Sequence, residues 1–233
     1  MRLPAPVDFA HLILGSHDLA EGNPSGTGGE RDYWVAPEDF FALVETISAF
    51  SETGGYALQL TSDDGFASDH EVYLPWLIET GRTATFFVPT GFIDQPNRLT
   101  KAQLREMLSH GMAIGCHGVE HLRWTELNDR ALEVEIASAK HRLEDMLGVP
   151  VTRVAPPFGA YDADVIRACV GAGFDEIYTT RGGYSLPAGR LRPRVTVTSE
   201  PVQQVDLLDL ARRGPKATDR FACFAREVQA VMA

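Results

Sequence analysis

The sequence is poor in cysteine and in long apolar runs, and both shortages exclude classes of protein. Three cysteines stand among 233 residues, and none of them forms a CxxC pair. A disulfide framework is therefore not expected, and the protein is expected to lie in a reducing compartment. No segment approaches the roughly 20 apolar residues that a membrane-spanning helix needs, and Met1 to Ala10 lack the apolar run of a signal peptide. We expect a cytoplasmic protein without a membrane span.

Positive charge is also in short supply. Lysine and arginine number 21 against 32 aspartates and glutamates, which gives a formal net charge of -11. Such a surface repels phosphate backbones and anionic lipids, so nucleic acid and anionic membranes are not expected as partners. A neutral or cationic substrate fits this charge balance better.

Strand-like and helix-like segments alternate along nearly the whole chain. Buried strands are predicted at Tyr56–Leu60 and Thr83–Val88, and later ones at Glu176–Thr180 and Arg194–Thr198, with a glycine-rich loop at Gly182–Gly189 between the last two. This alternation predicts a parallel sheet. In a barrel the strand ends meet on one face, which brings together motifs that are distant in the sequence.

Two adjacent carboxylates, Asp63 and Asp64, follow the strand that ends at Leu60. Like charges a few ångströms apart raise each other's pKa unless a cation or hydrogen-bond donors lie nearby. A positive partner is therefore expected beside them, although a surface Asp-Asp-Gly turn has the same sequence.

Two imidazoles follow a later strand. His117 and His121 are four residues apart, a spacing that lets both side chains reach one metal ion. Because Asp64 also follows a strand, the three side chains are expected to converge as two nitrogen ligands and one oxygen ligand. This set favours a divalent cation, most of all zinc, which lowers the pKa of water and polarises a carbonyl group. Asp63 is then placed to accept a proton from water.

Three ordered segments resemble the first three motifs of the polysaccharide deacetylases, carbohydrate esterase family 4. They are Thr61–Gly65, His117–His121 and Ala155–Gly159. The resemblance implies a metal-dependent hydrolase that removes the N-acetyl group from an amino sugar in a glycan or glycoconjugate. An N-acetylated sugar is then the expected partner.

The same resemblance implies an α/β fold, an irregular (β/α)7-type barrel in a single domain. We expect one polysaccharide deacetylase-like catalytic domain over residues 1–233. A strand at residues 9–18 is expected to complete the barrel, and residues 203–233 are expected to form a helical tail.

Roles for the carboxylates and imidazoles are implied by the matched motifs. Asp63, the first aspartate of the pair, corresponds to the catalytic base. Asp64, His117 and His121 correspond to the metal ligands.

The third motif implies groove residues. Pro156, Pro157 and Phe158 correspond to its groove lining, and Phe158 is implied to donate its backbone N–H to the oxyanion. Trp124, which follows the histidine pair, is a further candidate for the groove wall.

The sequence departs from the family pattern at three places, the first being Ser62 where the first motif usually has phenylalanine. The third motif usually begins with an arginine that braces the base, but Ala155 stands there. Arg194 is the expected substitute, with Arg192 as the open alternative. The C-terminal Leu-x-His motif is also missing. Because some members look circularly permuted, His17 is the expected acid that protonates the amine leaving group, and His11 is the weaker alternative.

Two other functions fit part of the pattern. His117–His121 also spells the H-x-x-E-H motif of zinc metallopeptidases, with Glu120 as the base. That interpretation gives no role to Asp63, Asp64 or the Pro-Pro-Phe-Gly segment. A catalytically inactive carbohydrate-binding relative is the other alternative, since Ala155 replaces an arginine and the C-terminal histidine is missing.

Overall fold

The structure, a computed structural model, describes residues 10–20, 33–216 and 218–219. In chain order its strands are β1 His11–Ser16, β2 Asp18–Leu19, β3 Trp34–Val35, β4 Ala57–Ser62, β5 Ala84–Val88, β6 Ala113–Cys116, β7 Arg153–Val154, β8 Glu176–Thr179, β9 Tyr184–Ser185, β10 Leu191–Pro193 and β11 Val195–Thr196. Its α-helices are α1 Pro37–Gly54, α2 Leu74–Thr80, α3 Lys101–Ser109, α4 Asp129–Glu133, α5 Ala139–Leu147, α6 Ala163–Gly171 and α7 Pro201–Arg213. Cys223 and the part of the predicted helical tail beyond residue 219 lie outside the described residues.

The main sheet has the order β10-β8-β7-β6-β5-β4-β1-β11, and neighbouring strands along it are parallel. β10 and β11 are consecutive pieces of one chain segment, so the two ends of this order are joined covalently at Arg194. Counted as one strand, β10 and β11 are the seventh strand of a barrel. The predicted irregular (β/α)7-type barrel is confirmed.

The chain changes its pairing partner at Arg194. Its N–H donates to the Thr179 carbonyl of β8 at 2.8 Å, and the N–H of Val197 donates to the Gly15 carbonyl of β1 at 2.8 Å. The strand predicted at Arg194–Thr198 is confirmed for Val195–Thr196 (β11), whereas β10 before it was not predicted. Arg194 is the last residue that pairs with β8, and from Val195 onward the segment pairs with β1 at the other end of the strand order.

The loop predicted at Gly182–Gly189 contains a short strand that the sequence pattern did not predict. Residues Tyr184 and Ser185 form β9, which pairs antiparallel with the first half of β1. Tyr184 is buried and donates its hydroxyl to the Leu210 carbonyl of α7 at 2.9 Å. Glycines on both sides of this strand interrupt the sequence pattern on which strand prediction relies. Its pairing with β1 also depends on residues that are distant in the sequence.

Local sequence signals mark the starts of three helices. Pro37 opens α1, and the capping box of Thr100 and Gln103 is formed at the start of α3. The Asn128 side chain accepts the Ala131 N–H at the start of α4. The Thr100 and Asn128 side chains each satisfy an N–H group that the first helical turn leaves without a partner.

Alternate side chains of the strands point into the barrel and form layers there. The middle layer is a small apolar cluster, separate from the larger core between strands and helices, and consists of Ile13, Phe87, Ala155 and Tyr178. The layer toward the strand N-termini is polar. In it Arg192 donates to Gln59 Oε1 at 3.0 Å and to His11 Nδ1 at 2.6 Å. The opposite layer, at the carboxyl ends of the strands, contains Arg194 and Asp63.

None of the helices in the described ranges combines the length and the apolar character needed to cross a lipid bilayer.

Glycine at position 115 leaves room for the Phe87 ring inside the barrel. A Cβ at this position would lie 2.4 Å from Phe87 Cδ1, and the ring is held against Tyr178 with centroids 4.9 Å apart. We expect Gly115→Ala to lower the free energy of unfolding by about 1–3 kcal/mol, the usual cost of overpacking a core. Urea unfolding monitored by circular dichroism measures this change.

Gly171→Ala is the matched control, because a Cβ there meets no atom within 4 Å. In the last turn of α6 it should leave stability unchanged or raise it by up to about 1 kcal/mol. Equal effects of the two substitutions would contradict the packing described for Phe87.

Candidate active site

Polar residues of the site follow the carboxyl ends of β4 and β6. Asp64 and Gly65 both have positive φ, 73° and 63°, which turns the chain sharply where β4 ends. The Arg98 guanidinium donates to the Asp64 carbonyl at 2.8 Å. After β6, Gly118 and His121 also have positive φ, 84° and 55°. Positive φ at non-glycine residues such as Asp64 and His121 is uncommon and is concentrated at functional sites.

The side chains of Asp64, His117 and His121 converge. Asp64 Oδ1 lies 3.4 Å from His117 Nε2 and 3.1 Å from His121 Nε2. The three potential ligand atoms lie within 4.8 Å of one another. Asp64 Oδ1 is buried, and neither imidazole contact has hydrogen-bond geometry. The ligand set therefore consists of one buried carboxylate oxygen without a hydrogen bond and two imidazole nitrogens. This set fits a divalent cation such as zinc.

A backbone carbonyl fixes the orientation of the His117 ring. His117 Nδ1 lies 2.6 Å from the Ala155 carbonyl. Because a carbonyl only accepts hydrogen bonds, Nδ1 carries a proton, and in the neutral ring Nε2 faces Asp64 with its lone pair. Metal-binding histidines are commonly held in this way.

Negative charge dominates this part of the site. Burial alone would raise the pKa of Asp64, but the adjacent imidazoles hold it well below its usual range. Burial alone would lower the pKa of His117, but Asp64 and Asp63 raise it. The cluster therefore favours a positive charge between its members, which either a proton or a cation supplies.

Asp63 is held by a bidentate ion pair inside the barrel. Arg194 Nη1 donates to Asp63 Oδ1 at 2.6 Å, and Nη2 donates to Oδ2 at 2.8 Å. Nη1 also donates to Thr61 Oγ1 at 3.0 Å. Burial raises the pKa of Asp63, but the guanidinium and the nearby imidazoles bring it below its ordinary value. Of the two candidate arginines, Arg194 contacts the carboxylate, while Arg192 lies in the opposite polar layer.

His17 follows β1 on the same face of the barrel. Its carbonyl accepts the Ser62 hydroxyl at 3.1 Å, and its ring lies 4.9 Å from the Tyr33 ring centroid. Burial lowers the pKa of His17, while Asp64 and Asp63 oppose this shift because of their proximity. His11 begins β1 and contacts Arg192 instead, so it lies at the other end of the barrel.

Phe158 supplies the exposed surface of the third motif. Its side chain is 57% exposed, and its ring lies 4.6 Å from the His121 ring centroid. Arg123 lies over the same ring at 4.9 Å. Pro156 and Pro157 are buried beneath it.

The predicted role of Trp124 as a groove wall is wrong. Its side chain is 1% exposed, and its indole N–H points to Glu135 Oε2 at 3.4 Å. An aromatic residue that enters a helix here packs into the core under the histidine loop and presents no surface to a substrate.

Two residues of the site were not predicted from the sequence. Arg98 holds the turn after β4, as described above. Glu135 is buried and accepts N–H groups from the loop between the two histidines. A signal for Glu135 was present, because it falls within the apolar helical stripe of Leu132, Ile136 and Ala139, where a carboxylate is out of place.

The model of the family described as "Polysaccharide deacetylase" matches residues 51–177, which is more than half of the chain. The chain belongs to the polysaccharide deacetylase family. YxkH of Bacillus subtilis (strain 168), whose name assigns it to the polysaccharide deacetylases, is 29% identical over 124 residues, which are 53% of this chain and 44% of YxkH. The matched part of the chain therefore spans less than half the length of this relative.

Solved structures share the fold. The Streptococcus pyogenes deacetylase PplD, solved in complex with acetate, matches with a TM-score of 0.72 and 20% identity over 89% of this chain and 99% of that one. IcaB from Ammonifex degensii matches with a TM-score of 0.75 and 19% identity over 87% and 97%. At this level of identity the two structures support the barrel architecture.

In this member of the family, the arginine that contacts Asp63 comes from the segment that closes the barrel. Ala155, at the position where the third motif usually carries that arginine, lies in the apolar cluster with Phe87 and Tyr178. The Arg194 guanidinium lies 5.2 Å from the Phe87 ring centroid. The small Ala155 side chain is therefore part of the apolar layer with Phe87 and Tyr178, and the Arg194 guanidinium lies over this layer.

A further buried carboxyl lies near the site. Asp69, which opens the π-helical stretch Asp69–Tyr73, is buried, and neither carboxyl oxygen has a hydrogen-bond partner among the described residues. Burial raises the pKa of Asp69 well above its usual range; the Ser62 side chain opposes the shift, and Asp18 adds to it. Asp69 is therefore expected to keep its proton to a higher pH than an exposed aspartate does.

This pKa shift predicts a pH-dependent effect of Asp69→Asn on stability. Above the unfolded-state pKa of 3.8, the unfolded chain ionises while the folded protein does not, so wild-type stability falls as pH rises toward the folded pKa. Asparagine does not ionise. Relative to wild type, the free energy of unfolding of Asp69→Asn should therefore increase as pH rises above 3.8.

Urea unfolding of chelator-treated protein at several pH values measures this difference. Asp145→Asn, which removes an exposed carboxylate from α5, is the matched control. A stability difference for Asp69→Asn that stays constant across the pH range would show that Asp69 is ionised in the folded state.

Proposed function

We propose that this protein is a metal-dependent hydrolase that removes the N-acetyl group from an amino sugar in a glycan or glycoconjugate. One observation carries the proposal. Three ligand atoms from Asp64, His117 and His121 lie within 4.8 Å of one another, beside a second carboxylate, Asp63, that a buried arginine holds in place. Membership of the polysaccharide deacetylase family supports the same reaction.

Asp64, His117 and His121 would hold the cation, with zinc as the expected ion for two imidazoles and a carboxylate. When bound, the cation supplies Lewis-acid chemistry that polarises an acyl oxygen and acidifies water. The unpaired Asp64 Oδ1 and the fixed tautomer of His117 support this assignment.

Asp63 is the proposed base. Its lowered pKa keeps it ionised and able to accept a proton from the attacking water. The two hydrogen bonds from Arg194 fix the plane of the carboxylate, and the remaining lone pairs of its oxygens are available toward the water. A fixed carboxylate loses little orientational freedom when the reaction begins.

His17 is the proposed acid that delivers a proton to the departing amine nitrogen. It follows β1 on the same barrel face as the carboxylates, which are close enough to act on its pKa. Amine expulsion requires a proton donor, because an amide anion is a very poor leaving group.

Phe158 and the two prolines before it form the proposed groove segment. The exposed Phe158 ring beside His121 offers an apolar surface to a sugar ring. Its backbone N–H is the proposed donor to the oxyanion, and a fixed donor of this kind contributes roughly 3–4 kcal/mol to transition-state stabilisation.

Asp63→Asn tests the proposal against the metallopeptidase alternative. Acetate release should be measured on chitin oligomers, peptidoglycan fragments and nucleotide- or lipid-linked N-acetylated sugars, with and without a chelator. We expect Asp63→Asn to lower kcat by at least about 10²-fold, and the chelator to abolish wild-type activity.

Glu120→Gln is the matched comparison, because Glu120 is exposed and its Oε1 lies next to Gly91 in a neighbouring loop. It should retain acetate release. If Glu120→Gln lost activity while Asp63→Asn stayed active, the result would instead favour the metallopeptidase alternative. Glycan binding by metal-loaded protein without acetate release from any substrate would favour the inactive relative.

His17→Ala should lower kcat by on the order of 10²-fold or more while leaving the bound metal content unchanged. The reason is that the substitution removes the proton donor but none of the proposed ligands. Metal analysis and acetate release measure the two effects, with the exposed His110→Ala as control. Wild-type turnover in His17→Ala would rule out this assignment.

A further inference from the structure

Both proposed histidine ligands lie at the ends of a short loop whose backbone has an unusual shape. Gly118 and His121 have positive φ within five consecutive residues, His117 to His121. On one side of the loop, the carbonyls of Gly118 and Val119 accept N–H groups from Thr90 and Gly91, both at 2.9 Å. These contacts leave the N–H groups of the loop to be satisfied from the other side.

Glu135 provides those acceptors. Its Oε2 accepts the Val119 N–H at 3.1 Å, and its Oε1 accepts the Glu120 N–H at 3.0 Å. Trp124 adds its indole N–H to the same carboxylate. The side chain of Glu135 is buried, with the residue 3% exposed. A buried carboxylate with three N–H partners is well compensated, and charge-assisted bonds of this type are among the stronger ones in proteins.

The surrounding sequence is adapted to this contact. Glu135 lies in a π-helical stretch, Val134–Ser138, between α4 and α5, and such wide turns are frequent at functional sites. At Gly118, a Cβ would lie only 2.6 Å from Glu135 Oε2. Glycine therefore gives the loop its positive φ and also allows the carboxylate to approach.

The geometry points to Glu135 as a positioning residue that holds the His117–His121 loop in the shape that directs His121 toward Asp64. His117 has its own support in the Ala155 carbonyl. The described residues provide no comparable hydrogen bond to the His121 ring, so His121 depends on the backbone of the loop for its position. Glu135 acts through that backbone and does not itself bind the cation. The inference rests on the cation site of the proposed function.

Glu135→Gln tests the inference by titration of metal-free protein with Co²⁺, followed in the visible absorption spectrum. The substitution keeps the size of the side chain but turns one acceptor into a donor that faces a loop N–H. We expect Co²⁺ affinity to fall by about 10–100-fold, as for other residues that orient metal ligands. The absorption bands should also shift, because the His121 nitrogen no longer binds in the same geometry.

Matched variants distinguish the positioning role of Glu135 from a general effect of removing negative charge and from loss of the cation site itself. Glu133→Gln removes an exposed carboxylate from the preceding helix and should leave Co²⁺ affinity and spectrum unchanged. His117→Ala should abolish Co²⁺ binding, and if it does not, the proposed cation site itself is wrong. Loss of binding in His117→Ala together with wild-type affinity and spectrum in Glu135→Gln overturns only the role of Glu135.

Hydrogen exchange in the metal-free wild-type protein provides a second measurement, which does not require a variant to fold. The backbone amides of Val119 and Glu120 should exchange slowly, because Glu135 accepts both. Exchange of these two amides at the rate of an exposed loop would overturn the inference.

Discussion

Arg194 and Asp63 form a bidentate ion pair at the place where the barrel closes, and most features of the site are connected to it. The arginine belongs to the segment that leaves β8 and joins β1, so closure of the sheet brings its guanidinium to the carboxylate. Removing one partner of a buried ion pair typically costs about 3–5 kcal/mol, because the other charge is left without compensation. The same contact thus links barrel closure to the orientation of the proposed base.

The layers of the barrel explain how such a charged pair is accommodated. Phe87 and Tyr178 lie beneath the Arg194 guanidinium, with ring centroids 5.2 and 5.9 Å from its central carbon. They separate it from the polar layer around Arg192 at the other end of the strands. The carboxylate of Asp63 therefore has one fixed partner inside the barrel, and Asp64 beside it turns toward the two imidazoles. Two adjacent carboxylates are given different surroundings in this way.

The sequence allowed prediction of those parts of the molecule that local signals determine. The strand predicted at Thr83–Val88 is observed as β5, and the convergence of Asp64 with two histidines followed from the rule that parallel strand ends meet on one face. The strand break at Arg194 could not be predicted, because it depends on pairing with two distant strands. For a related reason, the role predicted for Trp124 was wrong and Glu135 was not predicted. Their burial is decided by how a helix packs over the histidine loop, and periodicity alone does not show this.

Anomalous X-ray diffraction from crystals soaked with zinc tests the central claim, a cation shared by the converging ligands, most directly. We predict one strong peak at the zinc edge, with distances of about 2.0–2.2 Å to Asp64 Oδ1, His117 Nε2 and His121 Nε2. Data without a peak between these three atoms, or with the principal peak at another place, would contradict the account.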